Sequence, residues 1–195
     1  MKNLDDLFKF MTLMQTMRRV YRFNQEPLPD RGHYDTSVEH SYMVTMLAWY
    51  IMEKDKLDLD HDEVIKQLLV HDVVETYAGD TDVYDEPEIA TKKDREKRAE
   101  TRIKEEFPEF PGLHNFIETY ENQDSRESKF AYAVDKLIDP ICIYLDNGRT
   151  WKDKNNTLED VFTVKESKIK ISPEVYPYWQ ELYSRIEQEQ DQLFN

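Results

Sequence analysis

Cysteine is nearly missing from this chain. Cys142 is the only one in 195 residues, so no intramolecular disulfide can staple the fold. Glycine is scarce at four and proline stands at eight, which excludes a glycine-rich fibre or linker. No apolar run reaches the length of a transmembrane helix, and Met1-Lys2-Asn3-Leu4-Asp5-Asp6 lacks the apolar region of a signal peptide. The expected setting is therefore the cytoplasm, with no membrane partner. Positive charge is in deficit: 26 Lys and Arg stand against 41 Asp and Glu, a formal charge of −15. Recognition of nucleic acid needs clustered Lys and Arg, and an anionic membrane surface needs the same, so neither is an expected partner. An anionic substrate would have to be drawn in by local cations against the global field. A bound metal ion is the obvious candidate.

What is present is a globular composition: 39% hydrophobic, 34% charged and 12% aromatic residues. It is too rich in Phe and Tyr for a disordered chain, and the length suits one domain with a sizeable core. Apolar residues recur at helical spacing almost throughout, and no comparable alternating stretch appears. The stripes are Leu4, Leu7, Met11, Met14 and Met17; Val44, Leu47, Ala48 and Ile51; Val64, Leu68 and His71; Ile103 and Phe107; Leu113, Phe116, Ile117 and Tyr120; Phe130, Val134, Leu137 and Ile141; and Trp179, Leu182, Tyr183 and Ile186. Thr36-x-x-Glu39 and Asp60-x-x-Glu63 read as capping boxes, and Gly79 and Gly148 sit where helices should end. Pro140 falls inside a helical pattern and is expected to kink or shorten it. Residues 92–106 read as a charge-dense helix with a solvated face. Arg149 to Ser172 reads as a long polar loop with at most a short helix. The expected fold is all-α, with about six to eight helices.

Metal-ligand residue types fall at helix ends or on apolar faces in four segments: Ser37-Val38-Glu39-His40-Ser41, His71-Asp72 with Glu75, Gly79-Asp80, and Asp135-Lys136-Leu137. His71 continues the stripe of Val64 and Leu68, and Glu75 lies four residues on along the same face. Asp135 sits in an otherwise apolar stretch, where a lone charge is costly to bury unless paired or bound to a cation. Two imidazoles and two carboxylates can hold one divalent ion and leave room for water. Each residue also has a plainer reading. Alone, His40 is a helix-start histidine, His71 a satisfied core histidine, and Asp135 the partner of a buried Lys or Arg. The local zinc signature HExxH is absent. Cys142 reads as a core thiol.

The order His40, His71-Asp72, Asp135 on helices resembles the HD-domain metal-dependent phosphohydrolase superfamily. The fuller match is to its 5′-deoxynucleotidase branch, through Leu69 to Glu75, Gly79-Asp80, Glu118-Thr119-Tyr120-Glu121, Ser125 to Phe130, and Asp135-Lys136-Leu137. The resemblance covers roughly residues 10–148. It implies a single HD domain over 1–195, with its core at about 10–148 and residues 149–195 as a loop and a C-terminal covering helix. It implies that His40, His71, Asp72 and Asp135 bind the divalent metal, and that one of Glu75 and Asp80, acids lining the same cavity, orients the attacking water or protonates the leaving oxygen. A second ion near Glu75 and Asp80 is compatible with it. It implies further that Arg22 and Phe23 contact phosphate and sugar, with Arg18 and Arg19 as alternative registers and Phe where the family usually has Trp. The stretch from Asn24 to Thr36 is longer than in the family.

The activity the resemblance implies is hydrolysis of (deoxy)nucleoside 5′-monophosphates to nucleoside and phosphate, by a protein that often forms homodimers. The mixed His/Asp set suits Mn, Co, Fe or Mg better than a closed zinc site, with Zn as a further option. The acidic surface favours a monophosphate over more highly charged nucleotides, a preference that local geometry can reverse. Other readings of the same motifs are a cyclic-nucleotide phosphodiesterase, an alarmone hydrolase, and a non-catalytic metal- or nucleotide-binding regulator. Without a metal, the chain would be a helical interaction protein. Glu75 is followed by Thr76 rather than a second acid, which speaks against the alarmone type.

Overall fold

The computed structural model describes residues 3–25, 34–82 and 86–195. Among them are eight helices of ten residues or more and three of four or five. The long ones are α1 (Leu4–Met17), α2 (Ser37–Asp55), α3 (His61–Val70), α5 (Glu86–Glu106), α6 (Pro111–Asn122), α7 (Arg126–Leu145), α9 (Leu158–Ile169) and α10 (Tyr176–Gln188). The short ones are α4 (Glu75–Ala78), α8 (Arg149–Asp153) and α11 (Gln190–Phe194). The all-α reading therefore holds.

Helix starts follow local chemistry. Thr36 Oγ1 accepts from Glu39 N, and Glu39 Oε2 accepts from Thr36 N at 2.9 Å, closing the expected capping box of α2. At α3 only half of the expected box forms. Asp60 accepts from Glu63 N, but the Glu63 carboxylate turns to Gln67, and Asp60 N donates to Glu127 instead. Ser125 and Ser128 cap α7 reciprocally. That helix runs on through Pro140 without shortening, although the missing N–H leaves the Lys136 carbonyl without its i+4 donor.

Two regions differ from the sequence expectation. Tyr21–Gln25 (β1) and Tyr34–Thr36 (β2) form a small antiparallel ribbon, with Tyr21 opposite Thr36 and Gln25 opposite Tyr34. Segments of five and three residues are too short to show a period of two, so alternation could not reveal them. The stretch from Arg149 to Ser172 is not a long loop. It carries α8 and α9, the latter capped by Thr157 and Asp160, with Val161, Lys165 and Ile169 buried. Lysines at inward positions hide the apolar period there.

The core has two parts. Val44, Ala48, Leu68, Phe130, Val134, Leu137, Trp151 and Trp179 belong to the larger. Leu13, Met17, Val73, Val74, Ile103, Phe107, Leu113 and Ile117 belong to the smaller. The chain leaves the first at Leu68 and enters the second at Val73, so His71-Asp72 lies where the two meet. Only part of the first apolar stripe is used: Met17 is buried with Leu13, whereas Leu4, Leu7, Phe8 and Met11 are each more than half exposed.

Candidate metal centre and active site

Four elements bring the site together. His40 stands on the first turn of α2, His71-Asp72 follow α3, Glu75 opens α4, and Asp135 lies midway along α7. Burial is nearly complete at His40, His71, Asp135 and Glu75. One donor atom each of His40, His71 and Asp72 lie within 4.8 Å of one another. Asp135 Oδ1 is 2.8 Å from His40 Nε2 and 3.5 Å from His71 Nε2, and Asp72 Oδ1 is 3.2 Å from His71 Nε2. All four residues matched to the ligand set thus converge.

The imidazole of His71 tests whether a cation belongs there. Its Nδ1 lies 2.8 Å from the Leu68 carbonyl, which can only accept, so Nδ1 carries the proton and Nε2 bears the lone pair of the neutral ring. That Nε2 is buried, lies 3.2 Å from Asp72 and 3.5 Å from Asp135, and among the described residues makes no hydrogen bond of good geometry. Burial pulls the ring's pKa down, yet Asp72 and Asp135 outweigh it and hold it above the ordinary histidine value. The pocket therefore favours positive charge at Nε2. A divalent cation on two imidazoles and two carboxylates meets that demand without an added proton.

Asp135 is positioned from both sides. Its Oδ1 faces the two rings, while Oδ2 accepts from Tyr120 Oη at 2.6 Å and pairs with Lys136 Nζ at 2.6 Å. The plainer reading of Asp135 as the partner of a buried cation is thus also true, but it uses only one oxygen. Burial raises the Asp135 pKa, and Lys136 with the two histidines more than reverses this, so it stays far below the usual carboxylate range.

Arg22 reaches the same place from β1 rather than from a solvated helix end. Its Nη1 donates to Asp72 Oδ2 at 2.8 Å and lies 3.9 Å from Glu75, and its Nη2 is 3.9 Å from Asp139. Arg18 and Arg19 are exposed in the turn after α1, so among the described residues Arg22 is the arginine that lines the site. The side chain of Phe23 lies outside the described residues, as do residues 26–33 of the stretch between Arg22 and His40. Glu75 accepts from Ser37 Oγ at 2.8 Å. Burial, then Asp72 and Asp80, raise the Glu75 pKa well above its ordinary value against the pull of Arg22 and Ser37. Burial also raises Asp80. A cavity of about 250 Å³ is lined by Arg22, His71, Asp72, Glu75, Asp80 and Asp135 together with Asp139. That size suits a small molecule.

Sequence reasoning missed Asp139. It lies 3.8 Å from His40 Nδ1 and pairs with Lys165 at 3.1 Å. Burial raises its pKa, but Lys165 and Arg22 bring it down to about 2. Its place four residues after Asp135 on one helix face was the available signal. Lys165 was missed because its segment read as loop.

Comparison with known proteins gives the family and the fold. A family model described as HD domain matches residues 14–176. Over 173 residues the chain is 27% identical to a 5′-deoxynucleotidase HDDC2 of Danio rerio, covering 85% of this chain and 80% of that protein. It is 30% identical over 138 residues to a 5′-deoxynucleotidase HDDC2 of Homo sapiens, covering 67% and 63%. The crystal structure of a predicted metal-dependent phosphohydrolase from Magnetospirillum magnetotacticum superimposes with a TM-score of 0.81 at 25% identity, covering 95% of this chain and 93% of that one. The PH0347 protein of Pyrococcus horikoshii shares the fold, with a TM-score of 0.64 at 20% identity over 93% of this chain and 98% of that one.

Proposed function

The chain belongs to the HD-domain family, and from that premise we propose that it is a metal-dependent phosphohydrolase cleaving (deoxy)nucleoside 5′-monophosphates to nucleoside and phosphate. The observation that carries this reading is the buried Nε2 of His71, set among Asp72, Asp135 and His40 with Arg22 and Glu75 beside it. His40, His71, Asp72 and Asp135 would hold one divalent ion, with Mn, Co, Fe or Mg favoured by the donor set and a second ion compatible with Glu75 and Asp80. Such an ion supplies charge against the phosphate oxygens and lowers the pKa of bound water.

The protein's own groups do the rest. Arg22, with two guanidinium nitrogens turned into the cavity, exchanges Asp72 for phosphate oxygens and stabilises charge on them during in-line displacement. Glu75, held by Ser37, and Asp80 handle the protons: one takes a proton from the attacking water and one returns a proton to the departing 5′-oxygen. Tyr120 and Lys136 fix Asp135 so that Oδ1 keeps its direction. Phe23 is the candidate for sugar contact. The small cavity and the acidic chain fit a free nucleotide in the cytoplasm rather than a polymer. The exposed apolar residues of α1 fit a homodimer, which sedimentation velocity tests.

The deciding experiment is phosphate release from a panel of ribo- and deoxyribonucleoside 5′-monophosphates, using chelator-treated protein with and without Mn, Co or Mg. Metal-dependent release is expected. Stoichiometric metal binding without release from any monophosphate would sink the reading.

A further inference from the structure

Helix α9 turns two lysines inward. Lys165 and Lys168 follow the buried Val161 at four and seven residues, on one helix face. Both line the cavity that holds the metal-ligand cluster, and Lys136 from α7, Lys92 from α5 and Lys154 line it too. In a chain with a formal charge of −15 these five lysines share the cavity with eight carboxylates, so what matters is which of them is left without a partner.

Most of these cations are already matched. Lys165 pairs with Asp139 at 3.1 Å, Lys136 with Asp135 at 2.6 Å, Lys92 with Glu96 at 3.4 Å and Lys154 with Asp82 at 2.6 Å. Lys168 is the exception. Among the described residues it has neither a hydrogen bond nor an ion pair, and the acids Glu96 and Glu121 on the cavity wall are not bonded to it. Burial acts on it most strongly, then the charges of Lys136, Lys165 and Lys92, with Asp135 opposing them. Those that act on Arg22 are Asp72, Asp139, Glu75 and Asp80. The two cations thus serve different walls of one cavity.

A half-buried ammonium with no partner of its own costs the folded chain free energy unless an anion joins it. We propose that Lys168, supported by Lys165 and Lys92, forms a subsite for a second phosphate linked to the one that is cleaved, so that nucleotides with more than one phosphate are bound more tightly than monophosphates. A lysine is a point charge that takes a phosphate oxygen without demanding bidentate geometry. This reverses the preference that the overall charge suggests. The proposal rests on the phosphohydrolase reading for its substrate class.

The test is calorimetric binding of inorganic phosphate and of pyrophosphate to the metal-loaded protein and to K168Q and K168R. The parent should favour pyrophosphate. K168Q should lose about tenfold or more in pyrophosphate affinity, the scale of one charge-assisted hydrogen bond, with phosphate affinity unchanged. K168R should restore it. A melting temperature of K168Q at or above the parent's shows that the fold is intact. Equal losses for both anions would place Lys168 on the cleaved phosphate and overturn the second subsite, as would unchanged pyrophosphate binding in K168Q or no preference in the parent. None of these readouts depends on turnover, so an inactive but pyrophosphate-selective protein would refute the hydrolase reading alone.

Discussion

Asp135 is where structure and chemistry can be separated most cleanly. Replacing it with Asn keeps the shape but removes the charge that faces His40, His71, Tyr120 and Lys136. Lys136 Nζ, 2.6 Å away and with its side chain only 25% exposed, would lose the partner that holds its pKa up against burial. Breaking a buried ion pair on one side costs about 3–5 kcal/mol, and the residual exposure of Lys136 argues for the lower end. At about 2–4 °C per kcal/mol for a chain of this size, D135N should melt roughly 6–12 °C lower than the parent when both are metal-free. The companion variant D135N/K136M removes the orphaned cation as well and should recover most of that loss, because an apolar replacement of both partners is often neutral. Metal affinity should not recover, since the anionic carboxylate is gone in both variants and a neutral amide oxygen is a weaker ligand. Urea denaturation of chelator-treated proteins gives the first quantity and metal titration the second. If D135N/K136M regained parental metal affinity along with stability, the ligand role of Asp135 would be wrong. If D135N melted like the parent, the buried pair would not carry the energy assigned to it.

Glu75→Ala should keep the metal and lose turnover by a hundredfold or more, since general acid–base groups contribute about 10²–10⁴-fold; parental kcat in the variant would remove Glu75 from the reaction. Cys142, pushed up to about 12 by burial and then by Asp139 and Asp35, should react with iodoacetamide far more slowly at pH 8 than a free thiol, and rapid labelling of the native protein would contradict its packing. Lys168 is held down to about 8 by burial and by Lys136, Lys165 and Lys92, with Asp135 opposing and Glu96, Glu121 and Lys154 elsewhere on the cavity wall. Folding therefore disfavours its protonated form between about pH 8 and the ordinary lysine value near 10.4. Its destabilisation is fully present below about pH 8 and fades above it, while pyrophosphate affinity should fall as pH rises through 8, with K168Q flattening that dependence. Gly148 has φ 74°, and a Cβ there would lie 2.0 Å from the Leu193 carbonyl oxygen, so Gly148→Ala should detach α11 and lower the melting temperature by several degrees.

The candidate ligands were only partly legible: residue chemistry marked them out but left a plainer reading for each, and the resemblance to the HD-domain superfamily joined them into one set. His71 stands on an apolar stripe, Asp135 in an apolar run, and His40 just inside a capping box, and the adjacent Asp72 and Lys136 satisfy only part of what these groups demand. The two-residue step from His71 to Asp72 also marks the passage from one core to the other, which periodicity registers as the end of a stripe. What stayed hidden is tertiary. Arg22 reads as one of three nearby arginines until the ribbon with Tyr34–Thr36 carries it away from exposed Arg18 and Arg19 and against Asp72. Asp139 obeys the same face rule as Asp135 but follows it by four residues beside a proline, where a helix was expected to bend. Lys165 and Lys168 were unreadable for a stronger reason: in sequence, inward-facing lysines and the polar residues of a loop look alike. Only the packing of α9 on α7 distinguishes them, by giving Lys165 the Asp139 carboxylate and leaving Lys168 none. A positive charge that breaks amphipathic periodicity toward the core is thus the counterpart of Asp135. The carboxylate in an apolar run pointed to a bound cation, and by the same reasoning the unmatched ammonium beside it points to a bound anion.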